Sequence, residues 1–181
     1  MSKKLESLTP DLQEFIKNQK IFFVSTAMSE GRINLSPKGM DSLRVLGPNK
    51  LIWLNLTGSG NETATHILEN NRMTIMFCAF EGKPLILRLY GQAKVYHNKD
   101  SKFKEYINQF PPISGARQIF EFEFDLVQTS CGFAVPFMDY KEDRMVLSDW
   151  ADKKGEEGIK DYWAEKNTVS LDGHETGILD N

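Results

Sequence analysis

The stretch RQIFEFEFDLVQTS (117–130) carries the strictest two-residue pattern in the chain and leaves it the least freedom. Phe120, Phe122, Phe124 and Leu126 point one way; Glu121, Glu123 and Asp125 point the other. Residues spaced by two do not share one face of a helix. The stretch therefore predicts a strand with an apolar face on a core and a polar face outward. That division is the habit of antiparallel sheets.

The same period governs most of the sequence. IFFVSTAM (21–28), INLSP (33–37), SLRVLG (42–47), LIWLNLT (51–57) and RMTIMFCAF (72–80) read as short strands, with SEGR, GPNK and EGKP as turns. In LILRLYGQAKVYH (85–97), Leu85, Leu87, Leu89, Ala93 and Val95 share one face, and Ile86, Arg88, Tyr90, Gln92 and Lys94 the other. Helical signals are fewer. LTPDLQEFIKNQK has Thr9 as N-cap, Pro10 at the first helical position and an apolar stripe at Leu12, Phe15 and Ile16. ETATHILENN, KDSKFKEYINQF (99–110) and SDWADKKGEEGIKDYWAEKN (148–167) follow, the last as one or two helices with a glycine-marked break, before VSLDGHETGILDN as an extended tail. Seven or so strands and few helices predict a mainly β fold with flanking helices (α+β), an antiparallel barrel, and disfavour a doubly wound sheet. One domain is expected over 1–181, with the barrel at about 20–130 and a helical extension and tail beyond it.

Composition excludes several classes. A formal charge of −3 with no basic cluster argues against nucleic acid as a partner. No run approaches the roughly 18 apolar residues of a membrane span. Two cysteines without metal-ligand spacing, and an N-terminus without a signal-peptide core, point to a reducing, cytoplasmic setting.

The chemistry-bearing segment is NLTGSGNETATHILEN (55–70), which runs from a strand through glycines into a helix. Unbonded amides and the positive end of a helix dipole suit an anion there. Gly58 and Gly60 let the backbone approach closely, and Ser59, Asn61 and Thr63 offer side-chain bonds. Ordinary turn chemistry, with Asn61 as an N-cap, accounts for the same letters. It is neither a P-loop nor a dinucleotide-binding glycine motif.

NLSPKGMDSLRVL (34–46), LIWLNLTGSGNETATHILENNRMTIMF (51–77) and GKPLILRLYGQAKV (82–95), in this order and spacing, resemble the FMN-binding split β-barrel family named after pyridoxamine 5′-phosphate oxidase. TSCGFAVP (129–136) and KNTVSLDG (166–173) resemble a branch of it whose function is largely unassigned. The resemblance implies an antiparallel split barrel, a homodimer with FMN at the subunit interface, and a phosphate gripped mainly by one chain. The oxidase itself places a basic pair after the loop, where this chain has Asn61-Glu62-Thr63. The missing charge must then come from elsewhere: Lys38 first, beside Ser36 in the SPKG setting, then Arg88, then Arg44. Lys38 also reads as a solvated turn lysine. The expected cofactor-binding set is Ser36, Lys38, Gly58, Ser59, Gly60, Asn61, Thr63 and Arg88.

Other candidates are weaker. His66, His97 and His174 share no metal-ligand spacing, and His66 is expected to pack within its helix. Cys78 and Cys131 read as buried small hydrophobes, although Cys131 could also sit by a flavin ring. Trp150, Tyr162 and Trp163 are expected to pack helices on the barrel. The resulting expectation is an FMN-dependent oxidoreductase of unidentified substrate. The alternatives are a non-catalytic flavin carrier or sensor, or a split barrel holding haem or a deazaflavin. Pyridoxamine phosphate is a poor candidate substrate, because the oxidase's C-terminal Arg and His have no counterpart in SLDGHETGILDN.

Overall fold

The computed structural model describes residues 2–179; Met1, Asp180 and Asn181, which the N-terminal and tail readings included, lie outside them. The strands are β1 (Lys3–Leu5), β2 (Phe22–Thr26), β3 (Asn34–Lys38), β4 (Leu43–Gly47), β5 (Lys50–Leu56), β6 (Arg72–Cys78), β7 (Ile86–His97) and β8 (Ala116–Ser130). The helices are α1 (Pro10–Asn18), α2 (Glu62–Glu69), α3 (Ser101–Tyr106), extended by one 3₁₀ turn at 107–109, and α4 (Val146–Lys166). Thr9 caps α1 as expected, its hydroxyl accepting from the Leu12 N–H at 3.4 Å. α4 breaks at Gly155, whose φ of 69° lies where an L side chain is strained.

The strands form one antiparallel sheet in the order β3-β2-β6-β7-β8-β5-β4. Among the described residues no ladder joins β3 to β4, so the sheet curls without closing, as in a split barrel. β1, three residues long and Lys-rich, was not legible as a strand; it pairs with β8 at 127–129, continuing the line of β5. Inside the curl lie Val24, Trp53, Ile75, Leu87, Leu89, Phe120 and Phe122, with Trp53 stacked on Phe120 at 4.8 Å. On the other side of β5 and β8, Ile52, Leu54 and Ile119 pack against Phe103, Tyr106 and Phe110. β5 is therefore buried on both faces, which explains its unbroken apolar run.

β8 reaches such length by carrying two bulges. Against β7, Tyr90 pairs with Leu126 and Gly91 with Phe124, so Asp125 is the extra residue. The bulge reverses the alternation expected from the sequence: Phe120, Phe122 and Phe124 are buried, but beyond Asp125 it is Val127, not Leu126, that enters the core. Against β5, Asn55 pairs with Gln118 and Leu56 with Ala116, which leaves Arg117 as the extra residue. The tail is not simply extended. Val169 bridges Glu175, and Ile178 packs with Ala151, Ile159 and Trp163 of α4.

Candidate functional site

β3 is an edge strand with a two-sided pattern. Asn34, Ser36 and Lys38 share its inner face by the period of two and line a cleft of about 510 Å³. The opposite wall is the end of β5 (Asn55, Leu56) and the loop Gly58–Ser59–Gly60–Asn61 leading into α2 with Glu62 and Thr63. Arg117 enters from β8, and Lys166, Val169, Ser170 and Leu171 from the end of α4 and the tail. The cleft thus gathers Ser36, Lys38, Gly58, Ser59, Gly60, Asn61 and Thr63, seven residues singled out in the sequence. A hydrogen-bond chain orders the β3 side: Ser36 Oγ donates to Asn34 Oδ1 at 3.0 Å, and Asn34 Nδ2 donates to Thr63 Oγ1 at 3.1 Å.

Arg88 is not there. It lies on β7, where its guanidinium donates to Ser130 Oγ at 3.3 Å. Arg44 is also engaged elsewhere, ion-paired to Asp41, bonded to the Gln109 carbonyl and set over the Phe110 ring. The second cation of the cleft is Arg117, which the sequence reading did not single out. As a bulge residue it is re-aimed. Only 3 % of it is exposed; its Nη1 donates to the Gly60 carbonyl at 3.0 Å and to Asn167 Oδ1 at 2.7 Å, and its Nε has no partner.

Asn61 stands at the N-cap of α2, yet its side chain makes no cap bond. It is 2 % exposed, and both its Nδ2 and Oδ1 lack a partner. Leaving a buried polar group unbonded costs about 1–3 kcal/mol, so Asn61 and Arg117 Nε are held ready for something that can bond them. The charge in the cleft points to an anion. Lys38 and Arg117 share the cleft lining with one carboxylate, Glu62, whose oxygens are taken by the Leu171 N–H at 3.0 Å, and with Lys166, which is paired to Glu165 at 2.7 Å. Among the described residues neither Lys38 nor Arg117 forms an ion pair. Burial, and then the neighbouring charge of Arg117, bring the Lys38 pKa down to about 8. Burial also lowers Arg117, which stays charged at neutral pH. Two like charges held together without a counter-ion, at the amide-rich start of a helix, suit a phosphate group.

Behind the loop, the C-terminal segment locks the cradle. Asn167, fully buried, donates from Nδ2 to the Gly58 carbonyl at 3.1 Å while holding Arg117. Trp163 Nε1 donates to Thr57 Oγ1 at 2.8 Å, so this tryptophan packs and also braces the strand end. Nothing in a single strand or helix pattern announces Asn167; only the fold brings it to Gly58. The remaining candidates lie outside. His66 is buried in α2 with Nδ1 3.1 Å from Thr26 Oγ1, a packing role. Cys78 is buried as expected, whereas Cys131 is exposed, because β8 ends at Ser130 and the chain leaves the sheet there. Among the described residues no group of His, Cys, Asp or Glu is placed to hold a metal, and no helix is long and apolar enough to cross a membrane.

Comparison with known proteins agrees with this architecture. A curated protein of Aspergillus flavus, the pyridoxamine 5′-phosphate oxidase family protein ustO, is 37% identical over 188 aligned positions, covering 93% of this chain and 75% of the relative. Among solved structures, Group A Streptococcus HupZ matches with a TM-score of 0.54 at 19% identity, over 66% of this chain and 91% of its own. The FAD binding protein from Mycobacterium smegmatis matches with a TM-score of 0.50 at 10% identity, over 70% and 97%. At such identities the two structures share the fold. The profile of the family described as pyridoxamine 5′-phosphate oxidase matches residues 8–131, most of the chain and all eight barrel strands except β1, and with the fungal relative it shows that the chain belongs to that family.

Proposed function

We propose that the cleft holds FMN by its phosphate and that the chain is an FMN-dependent oxidoreductase acting as a homodimer. The observation that carries this reading is the pairing of two cations without a carboxylate partner, Lys38 (set over the Trp53 ring at 5.0 Å) and Arg117, with the unbonded Asn61 amide at the start of α2. A phosphate monoester would take charge-assisted bonds from both cations and satisfy Asn61 and Arg117 Nε together. Ser36, Ser59 and Thr63 add hydroxyls, and the Gly58–Gly60 amides add donors. FMN, when bound, supplies the redox chemistry, and the protein holds and orients it.

The rim of the cleft favours a second copy as its cover. Leu35, on the outer side of β3, and Ile33, just before that strand, are 64% and 74% exposed, and Leu171, which lines the cleft, is 73% exposed. Exposed apolar residues flanking a polar cleft suit a partner surface that closes over it. Light scattering should report a dimer, and Leu35→Glu should lower both dimer stability and flavin retention. A monomeric wild-type protein that binds FMN tightly would remove the dimer from the reading.

Purified protein should be yellow, and denaturation should release FMN identified by mass spectrometry. Colourless protein that takes up no added FMN would refute the proposal. Rapid-mixing kinetics of the reduced and oxidised protein with NADH, NADPH and oxygen then test catalysis; flavin inert to all of them would leave a carrier. Lys38→Ala should weaken FMN binding by one to two orders of magnitude, about 1.5–3 kcal/mol for a charged hydrogen bond. Unchanged affinity would take Lys38 out of the grip.

The low pKa of Lys38 gives a sign to the pH dependence. In the free protein Lys38 loses its proton near pH 8, while a bound dianion raises its pKa again. Above pH 8 binding must therefore take up a proton, and affinity falls by up to about tenfold per pH unit. Below about pH 6 the monoester itself gains a proton and the grip weakens. Fluorescence titrations from pH 5 to 10 should show an optimum between these limits, and Lys38→Ala should lose the alkaline limb alone. An alkaline limb that survives this substitution would assign it to another group.

A further inference from the structure

Residues 167–176 do more than pack against α4: they fold back over the phosphate loop from the α2 side. Asn167 bonds the Gly58 carbonyl and Arg117, and the Thr176 hydroxyl bonds the Asn167 carbonyl. The Leu171 N–H meets both oxygens of Glu62, at the first position of α2. Thr65 Oγ1 donates to the Glu175 carbonyl at 3.1 Å. At the turn, Asp172 accepts from the Arg32 backbone N–H at 2.8 Å and pairs with its guanidinium, tying the segment across to the strand that forms the other wall. The Val169–Glu175 bridge makes this segment a small hairpin, and its residues Val169, Ser170 and Leu171 line the cleft beside Gly58–Thr63.

From this arrangement we propose that the 168–176 hairpin is a specificity wall that admits a terminal phosphate monoester and excludes a flavin extended beyond it as a dinucleotide. The inference rests on the flavin reading above and concerns which flavin the site accepts. A monoester ends at the cradle. Its oxygens face Lys38, Arg117, Asn61 and the loop amides, and nothing need pass the tail. In a dinucleotide the same phosphate is a diester, with less charge for the two cations and a second phosphate and adenosine still to be placed. On the α2 side the cleft is bounded by Ser170, which is buried, and by the Leu171 backbone on Glu62, so a longer ligand meets the hairpin there. Discrimination of this kind comes from a built obstruction as much as from attraction.

The test compares FMN and FAD affinities, read by quenching of flavin fluorescence, in three proteins. These are the wild type, Asp172→Ala, which unties the hairpin from Arg32 without touching the cleft lining, and Ser170→Gly, which empties the space that the buried serine fills while leaving Asn167 and the end of α4 in place. The wild type should prefer FMN by about 100-fold or more, and that preference should shrink several-fold in each variant, through a gain for FAD. Equal wild-type affinities for FMN and FAD, or a preference unchanged in both variants, would overturn the wall while leaving flavin binding intact. A wild-type protein that binds neither flavin would overturn the functional reading and the wall with it.

Discussion

Arg117→Ala is expected to lower FMN affinity by at least about 30-fold, the largest effect of any substitution in the cleft, since truncating a buried, hydrogen-bonded charge costs about 2–5 kcal/mol. Arg117 is more buried than Lys38, and its Nε is free for a ligand while Nη1 holds the loop through Gly60. Removing it takes away a cation, a donor and the brace on the phosphate loop together. Arg117→Lys separates these contributions. Charge is kept, but the fixed fork of donors is lost, so an intermediate deficit of about tenfold should remain. Isothermal titration with FMN, alongside thermal melts of each variant, distinguishes a lost contact from a collapsed loop. A well-folded Arg117→Ala protein with wild-type affinity would place the phosphate elsewhere.

The second large effect concerns folding. Gly91→Ala is expected to destabilise the protein by about 3–5 kcal/mol, at the upper end of single-residue effects. A Cβ at Gly91 would stand 2.1 Å from the Glu123 carbonyl oxygen and 2.5 Å from the Phe124 Cα, and both obstacles are backbone. The strands approach this closely because of the Asp125 bulge, so relief requires moving β7 away from β8 at the centre of the sheet. For a chain of this size each kcal/mol lowers the melting temperature by about 2–4 °C, so a drop of roughly 6–20 °C should appear by calorimetry. A melt within 2 °C of the wild type would show that the bulge adjusts freely.

The bulges also mark where the sequence stopped being legible. The inner face of the barrel follows from alternation, since Leu87, Leu89, Phe120 and Phe122 are pointed by the pleat and nothing intervenes. Beyond Asp125 the phase slips, and the visible trace was a lone glycine inside the strand LYGQ, a common sign of a bulge or close approach. At the other end of β8, Arg117 was hidden by the same device. Nothing in its letters singles it out, and only the pairing with β5 shows that it is extra. The cleft residues on β3 and the 58–63 loop were legible because each lies within a local motif. Asn167 and the hairpin were not, because their contacts with Gly58 and Glu62 are made across the whole fold.

Gly58 and Asn167 stand 109 positions apart in sequence, and this separation has a consequence in time. At ribosomal speeds of 5–20 residues per second, the glycine loop emerges about 5–20 s before the asparagine that fastens it. Arg117 is made within that interval, and for the remaining 50 positions it has no Asn167 to steady it. If the cleft holds its proposed ligand, a nascent chain should therefore grip it only weakly until synthesis has passed Asn167.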